Sequence, residues 1–394
     1  MSSPERKGRE KKEPSSESAP NPSLPHDLVL SCIARVSRLY YPTLSLVSKS
    51  FRSLIASPEL YKARSLLGHT ESCLYVCIQV LGDNSPNWYT LCRKPNKTTK
   101  SSSGYVLAAV PVPDAPLALL SGSGLVAVGS NIYNIGGSDL NSMAEGSYSR
   151  VTVLDCRSHT LSEAPSLRVA LRSLSASVVD RNIYVVGSCR AGDTDLKNSY
   201  QVLDTKAQVW DHVPCGETEV VGIDKTVSFK DKFHVVGRSK DGGRKVVAYD
   251  PKERKWEAVD RHVGWFIDPG ASCEIGNVLY ATSRCLEERV LVWYDTEETM
   301  WRNVTGLVGL PKLTCLWESE AFRFNDFGGK MGFLWEGEAF RFNYSGFLQK
   351  KIWFAEIALE RRSSCEIWGK VEWFYHVLTV PATSWVIKVL SATV

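Results

Sequence analysis

Residues 182–210 read NIYVVGSCRAGDTDLKNSYQVLDTKAQVW. A run rich in β-branched and aromatic residues, Asn182-Ile183-Tyr184-Val185-Val186, stops at Gly187; a second closes on Leu203-Asp204, and Trp210 follows that aspartate by six residues. Short apolar runs separated by Gly, Asp and Asn read as strands and turns. The same order recurs on both sides. Asn131-Ile132-Tyr133, Lys232-Phe233-His234 and Asn277-Val278-Leu279-Tyr280 repeat the opening, with aromatic or histidine positions 51, 50 and 46 residues apart. Leu154-Asp155, Tyr249-Asp250 and Tyr294-Asp295 repeat the close, and six residues on stand Leu161, Trp256 and Trp301.

A period near 50 residues accommodates four short strands with their turns, and one such unit cannot bury both of its faces alone. Radial stacking into a β-propeller solves this and leaves only short, protected edges. One tryptophan at one position per unit points to core packing rather than to a ligand cage. Weaker units flank the four clear ones: Leu74 to Ile78 with Trp88-Tyr89-Thr90-Leu91 before them, and Ile352 to Glu360 with Trp368-Gly369-Lys370-Val371 after them. Together they predict about six blades. Leu316–Asn325 is nearly repeated by Leu334–Asn343, 18 residues later. That spacing is too short for a blade, so it reads as a local duplication or an assembly artefact and leaves the order of that blade open. Gly136-Gly137 resembles the double glycine of kelch repeats and degenerates to Gly187-Ser188 and Gly237-Arg238 in later units. The fold class expected is mainly β, a kelch-type propeller.

The period changes upstream. Residues 1–22 mix five basic and four acidic side chains with Ser and Pro and lack apolar content, so a disordered tail is predicted. Its Arg6, Lys7, Arg9, Lys11 and Lys12 read as a solvated charge run before they read as a nuclear import signal. From residue 23 to 68 the apolar spacing is helical. Leu28, Cys32, Ile33 and Val36 are placed on one face of a first helix entered through Pro25; Leu44, Val47, Leu54 and Ile55 mark a second. Ser57-Pro58-Glu59 supplies an N-cap, an N1 proline and a dipole-favourable acid for a third. A segment this small needs a partner surface or a neighbouring domain to complete its core.

Leu24-Pro25-His26-Asp27-Leu28, Ile33-Ala34-Arg35-Val36 and Leu46-Val47-Ser48-Lys49-Ser50-Phe51-Arg52-Ser53-Leu54-Ile55 resemble, in order and spacing, the F-box of the plant F-box/kelch-repeat family. The ending, Ile352 to Val394 with Ile367-Trp368-Gly369-Lys370-Val371-Glu372-Trp373, resembles the ends of the same proteins. The resemblance implies three parts: the tail at 1–22, a three-helix F-box at 23–68 and a propeller at 69–394. It also implies that the F-box docks on the Skp-type adaptor of a cullin-RING ubiquitin ligase while the propeller binds the protein to be ubiquitinated. Carried over, Leu24, Pro25, Leu28, Ile33, Leu44, Val47 and Phe51 are the adaptor-contact candidates.

Of 394 residues 43% are hydrophobic and 23% charged, and 47 basic against 43 acidic side chains leave a net charge of +4. That is ordinary for a soluble globular chain and gives no field calling for nucleic acid. There is no secretory h-region and no apolar run of about 18 residues to span a bilayer. The eleven cysteines form no Cys-x-x-Cys pair and no metal-like spacing with the seven histidines, so they read as reduced thiols of a cytoplasmic or nuclear protein. The sequons at Asn96, Asn303 and Asn343 then read as chance matches. No Walker loop, complete Gly-x-Gly-x-x-Gly, His-Glu-x-x-His or Gly-x-Ser-x-Gly occurs. Glu287-Glu288 and Glu297-Glu298 are adjacent, so a strand would point them to opposite sides. His234 occupies the Tyr position of its repeat, a packed substitute rather than a ligand. The expectation is an adaptor, not an enzyme, with no catalytic residue, metal or cofactor; a non-ligase kelch scaffold or cytoskeletal binder is the alternative. For the target, the segments Ser138–Ser149, Cys189–Asn198, Ser239–Arg244 and Ser283–Glu288 are expected to be loops on one rim. Arg190, Arg238, Arg244 and Arg284 lie in or beside them, and arginine suits an acidic or phosphorylated target segment.

Overall fold

The computed structural model describes residues 24–83, 85–94, 104–112, 124–136, 149–191, 195–214, 220–267, 271–285, 288–310, 322–341 and 348–394. The tail expected at 1–22, with its import-signal reading, lies outside them, as do Asn96, Asn343, Gly137, residues 138–148 of the first rim segment and 316–321 of the duplication. Helices α1 (His26–Ala34), α2 (Tyr41–Leu44), α3 (Lys49–Ile55) and α4 (Pro58–Leu66) come first, with a 3-10 turn, Arg38–Tyr40, before α2. The expected second helix is two. The chain turns at 45–47, and Ser48 restarts it by accepting the Phe51 backbone N–H at 3.1 Å, as Ser57 does for Leu60 at 3.4 Å. Leu44 and Val47 therefore share no helix with Leu54 and Ile55. In α1 the expected face also divides, with Leu28 and Cys32 exposed and Ile33 and Ala34 buried.

The helices have no core of their own. Ile33, Ala34, Tyr41, Leu54 and Leu60 pack in one cluster with Cys73, Tyr75, Trp88, Leu154 and Leu390 of the strands that follow. This is how so short a segment buries enough apolar surface.

Strands then run in order. They are β1 (Ser72–Val80), β2 (Asn87–Arg93), β3 (Tyr105–Ala109), β4 (Gly124–Val128), β5 (Asn131–Ile135), β6 (Val151–Asp155), β7 (Thr160–Ala164) and β8 (Arg172–Val179). Next come β9 (Asn182–Ala191), β10 (Asp195–Asp204), β11 (Val209–His212), β12 (Gly222–Phe229), β13 (Lys232–Arg238), β14 (Arg244–Asp250), β15 (Lys255–Val259) and β16 (Ser272–Ile275). The last are β17 (Val278–Cys285), β18 (Glu288–Asp295), β19 (Met300–Asn303), β20 (Phe322–Phe327), β21 (Lys330–Arg341), β22 (Leu348–Ser363), β23 (Glu366–Pro381) and β24 (Ser384–Thr393).

They form six four-stranded antiparallel sheets, the blades of a propeller. Blades 2 to 6 are β4–β7, β8–β11, β12–β15, β16–β19 and β20–β23; blade 1 has the order β24-β1-β2-β3, so the C-terminal strand closes the ring against the first. One innermost strand per blade lines a central cavity of about 200 Å³, touched by Val126, Val178, Ser228, Ser272, Asn325 and Val389. The near-duplicated segments fall on β20 and β21, two neighbouring strands of blade 6, with Phe322 opposite Trp335; strand order there follows the chain.

The repeat signature has a physical cause at each position. Asp204, Asp250 and Asp295 each accept two backbone N–H groups two and three residues on, at 2.8 to 3.4 Å, and so fix the turn from third to fourth strand. Asp155 accepts one such backbone N–H, from Arg157 at 2.9 Å, together with the Arg157 side chain. Trp210, Trp256 and Trp301 lie on the outermost strands and reach the preceding blade: each indole N–H donates to a backbone carbonyl, Pro165, Pro214 and His262, at 2.7 Å in all three. Trp210 is buried; the other two are half-buried. Gly237 is needed where it stands, because a Cβ there would lie 2.0 Å from the Gly222 carbonyl oxygen of the adjacent strand.

Candidate functional site

Pro25 opens α1, and the short helix is apolar on both sides, so burying Ile33 and Ala34 leaves Leu28 facing out. Leu24 is 68% exposed, Leu28 54% and Val47 64%, while Leu46, which was not among the candidates, is 76% exposed. Pro25 is exposed with them. The other three candidates stand differently: Ile33 is 4% exposed inside the shared core, and Leu44 and Phe51 are half-buried against it. The folded chain thus leaves Leu24, Pro25, Leu28 and Val47 in solvent and spends Ile33 on its own core.

Beneath that surface lies a polar junction that periodicity did not reveal. Arg64 is 1% exposed and donates to the carbonyls of Ala34, Val36 and His69 and to Glu71 Oε1 at 2.5 Å. Glu71 also accepts from Ser37 Oγ at 2.7 Å and from the Arg38 backbone N–H. Arg38, 7% exposed, crosses to the propeller, donating to Tyr75 Oη at 3.1 Å, to the Cys156 carbonyl and to His159 Nε2 at 3.3 Å. Burial first, and then the Arg38 charge, hold His159 down to about 4, so its ring is neutral and able to accept. One signal for Arg64 was in the sequence: it falls four residues after Leu60, on the buried face of α4.

This junction fixes which face of the propeller the helices cover. Cys156 and His159 belong to a turn from third to fourth strand, and the helices enter β1 on that same side. In an antiparallel four-stranded blade the loops from second to third strand and the connections between blades lie on the opposite side. The four target-contact candidates fall at those loops: Arg190 and Arg284 near the ends of β9 and β17, Arg238 at the end of β13, Arg244 at the start of β14. The side chains of Arg190 and Arg284 lie outside the described part of the structure. Arg238 is exposed; Arg244 is engaged locally, donating to the Gly264 carbonyl at 3.2 Å and lying 3.9 Å from Asp224. Two expected loops are mostly strand, since β9 and β10 leave only 192–194 between them and β17 and β18 only 286–287. The same side also exposes Leu81, Val221, Trp265, Leu348 and Trp385. Among the described residues no cluster of three His, Cys, Asp or Glu side chains could hold a metal, and no helix is long and apolar enough to cross a membrane.

Comparison with known proteins adds the following. A family model described as the F-box domain matches residues 22–63, and one described as the FKB95 Kelch-repeats domain matches residues 88–378. An F-box/kelch-repeat protein of Arabidopsis thaliana is 50% identical over 388 residues, 94% of this chain and 99% of its own. Another from the same plant is 46% identical over 415 aligned residues that cover all of both chains. The solved structure of YjhT aligns over 61% of this chain and 82% of its own with a TM-score of 0.39 and 13% identity, too distant to carry an argument.

Proposed function

The chain belongs to the F-box/kelch-repeat family, and from that premise we propose that it is the substrate-recognition subunit of a Skp-cullin-F-box ubiquitin ligase. The observation that carries this reading is the exposure of Leu24, Leu28, Leu46 and Val47, at the start of the first helix and in the turn before the third, while Ile33, Leu54 and Leu60 of the same module are buried. Covering each such side chain on an adaptor contributes on the order of 1.5 to 3 kcal/mol. The chain supplies no catalytic group in this reading. It raises the effective concentration of a target lysine near a charged ubiquitin carrier, with the helices on one side of the propeller and the target on the other. The buried free thiols Cys73, Cys77, Cys92 and Cys156 suit a reducing compartment, the cytosol or nucleus. A kelch scaffold without ligase function would leave the exposed aliphatic residues unexplained.

The test is a pull-down of recombinant Skp-type adaptor by the full chain. We expect the wild type to retain it and Leu28→Asp combined with Val47→Asp to lose it; equal retention by the variant, or no retention by the wild type, rejects the reading. For the target side, Arg238→Glu is the clean probe, because Arg244 already holds the Gly264 carbonyl. It should lower recovery of proximity-labelled targets without changing adaptor retention.

A further inference from the structure

Between the helices and blades 1 and 2 lies a cleft of about 330 Å³, a volume that suits a small organic molecule. From the helical side Tyr41, Pro42, Ile55 and Ala56 wall it; from the propeller side come Leu91, Ala108, Ala109 and Pro111. The body of the cleft is therefore apolar. Among the described residues its charged lining is of one sign, for Arg38, Arg52 and Arg157 line it with His159 and no Asp or Glu does.

The three arginines are not equivalent. Arg157 is neutralised by Asp155, with contacts of 3.0 and 2.8 Å, and Arg52 is exposed. Arg38 is more than nine-tenths buried, and its guanidinium partners are a phenol, a carbonyl and a neutral imidazole. Its Nη1 is buried with no hydrogen-bond partner among the described residues. Of the carboxylates near it among the described residues, Glu71 is bound to the Arg38 backbone N–H and to the Arg64 side chain, and Asp155 to the Arg157 side chain. A buried cation that no carboxylate hydrogen-bonds directly is costly to hold, and a carboxylate brought to it gains charge-assisted hydrogen bonds.

We propose that this cleft binds a small carboxylic acid with an apolar body, the carboxylate on Arg38 and the body against Ile55, Leu91 and Ala109. Such a ligand bridges the helical module and blades 1 and 2, and it stiffens the connection between them. The proposal does not depend on the ligase reading, since it concerns only the free chain.

Titration calorimetry of the full chain with three probes tests it: 2-naphthoate, the neutral 2-naphthalenemethanol and inorganic phosphate. We expect saturable one-to-one binding of 2-naphthoate, at least tenfold tighter than the alcohol, which corresponds to about 1.4 kcal/mol, and tighter than phosphate. Arg38→Met should abolish the preference for the acid over the alcohol. Because that variant removes contacts between the domains, Ala109→Trp provides an independent check: it fills the cleft from the propeller side and should lose 2-naphthoate binding with an unchanged circular dichroism spectrum. No saturable binding to the wild type, equal affinity for acid and alcohol, tighter binding of phosphate, or undiminished binding to Ala109→Trp would each overturn the proposal.

Discussion

Between residues 24 and 66 the chain buries Arg38 and Arg64 and leaves Leu24, Leu28, Leu46 and Val47 from 54 to 76% exposed, whereas blades 3 to 5 bury their aliphatic and aromatic rows and keep their aspartates in turns. The propeller is satisfied from within. Blades 2 to 5 each close the turn from third to fourth strand with an aspartate, and blades 3 to 5 each bond the connection from the preceding blade with a tryptophan, so stability there is distributed over repeated contacts. The helices draw on the propeller under Ile33 and Leu60 and, in the proposed reading, on an adaptor over the exposed aliphatic residues. Burial of an arginine in one region and exposure of leucines in the same region are two sides of that arrangement, because a segment of about 45 residues has too little interior to hide both.

The largest effect should come from breaking the propeller's side of this contrast. Trp210→Ala removes a buried indole and leaves the Pro165 carbonyl unpaired, and we expect a loss of about 3 to 5 kcal/mol. Trp256→Ala and Trp301→Ala should lose less, because their rings are only half-buried. Urea unfolding followed by circular dichroism ranks the three; a Trp256 loss larger than that of Trp210 would mean that burial does not set the order. Arg64→Met tests the other region. It leaves Glu71 and three carbonyls short of a donor in a buried site, and about 3 kcal/mol is expected. The loss should appear as early unfolding of the helices, seen as raised amide exchange at residues 26–66 with the blades still protected.

Acid should weaken both regions over one window. His234 is 5% exposed in β13, and burial, the leading cause, holds it down to about 4; His159 at the junction is held at about the same value. A histidine whose folded value lies below its unfolded value of about 6.5 binds protons more readily when unfolded. Its contribution is therefore complete above pH 6.5 and is lost as the pH falls toward 4, about 3 kcal/mol for His234 and less for the partly exposed His159. His234→Phe should flatten the stability profile between pH 6.5 and 4, and an unchanged slope would show that the ring is not neutral in the fold.

How much of this was legible depended on whether a contact repeats. The Tyr, Asp and Trp spacing announced the blades because each residue answers a demand met once per repeat: a core position, a turn acceptor, a bond to the neighbouring blade. Leu161 stands where the first unit lacks the tryptophan, and the strand β7 forms there all the same. The helices were legible at their caps, but not in the break at 45–47, since Leu44 and Val47 match helical spacing whether or not the chain turns between them and α3. The junction was illegible. Arg38 meets Cys156 and His159 more than 100 residues away, and a contact made once over that distance leaves no period to read. The rim was half legible: the loops from second to third strand do share one side, but their lengths were overestimated, because strands that run past the blade's hydrophobic rows carry polar residues and look like loops.

The smallest stability effect is expected at the exposed leucine and valine of the helical module. Leu28→Asp and Val47→Asp change exposed positions that touch no buried cluster, so each should alter the stability of the free chain by less than about 0.5 kcal/mol. Replacing Ile33, five residues from Leu28 on the same helix, with Ala should cost about 2 to 5 kcal/mol, because that side chain is in the shared core. The two substitutions separate packing for the chain itself from packing for a partner within a single helix of nine residues. If Leu28→Asp lowers the free chain's stability as much as Ile33→Ala does, Leu28 is held by this chain and the proposed docking surface loses its central residue. If it leaves stability intact while the adaptor is lost, the energy of that leucine belongs to the interface, and the exposure of Leu24, Leu46 and Val47 has the same explanation.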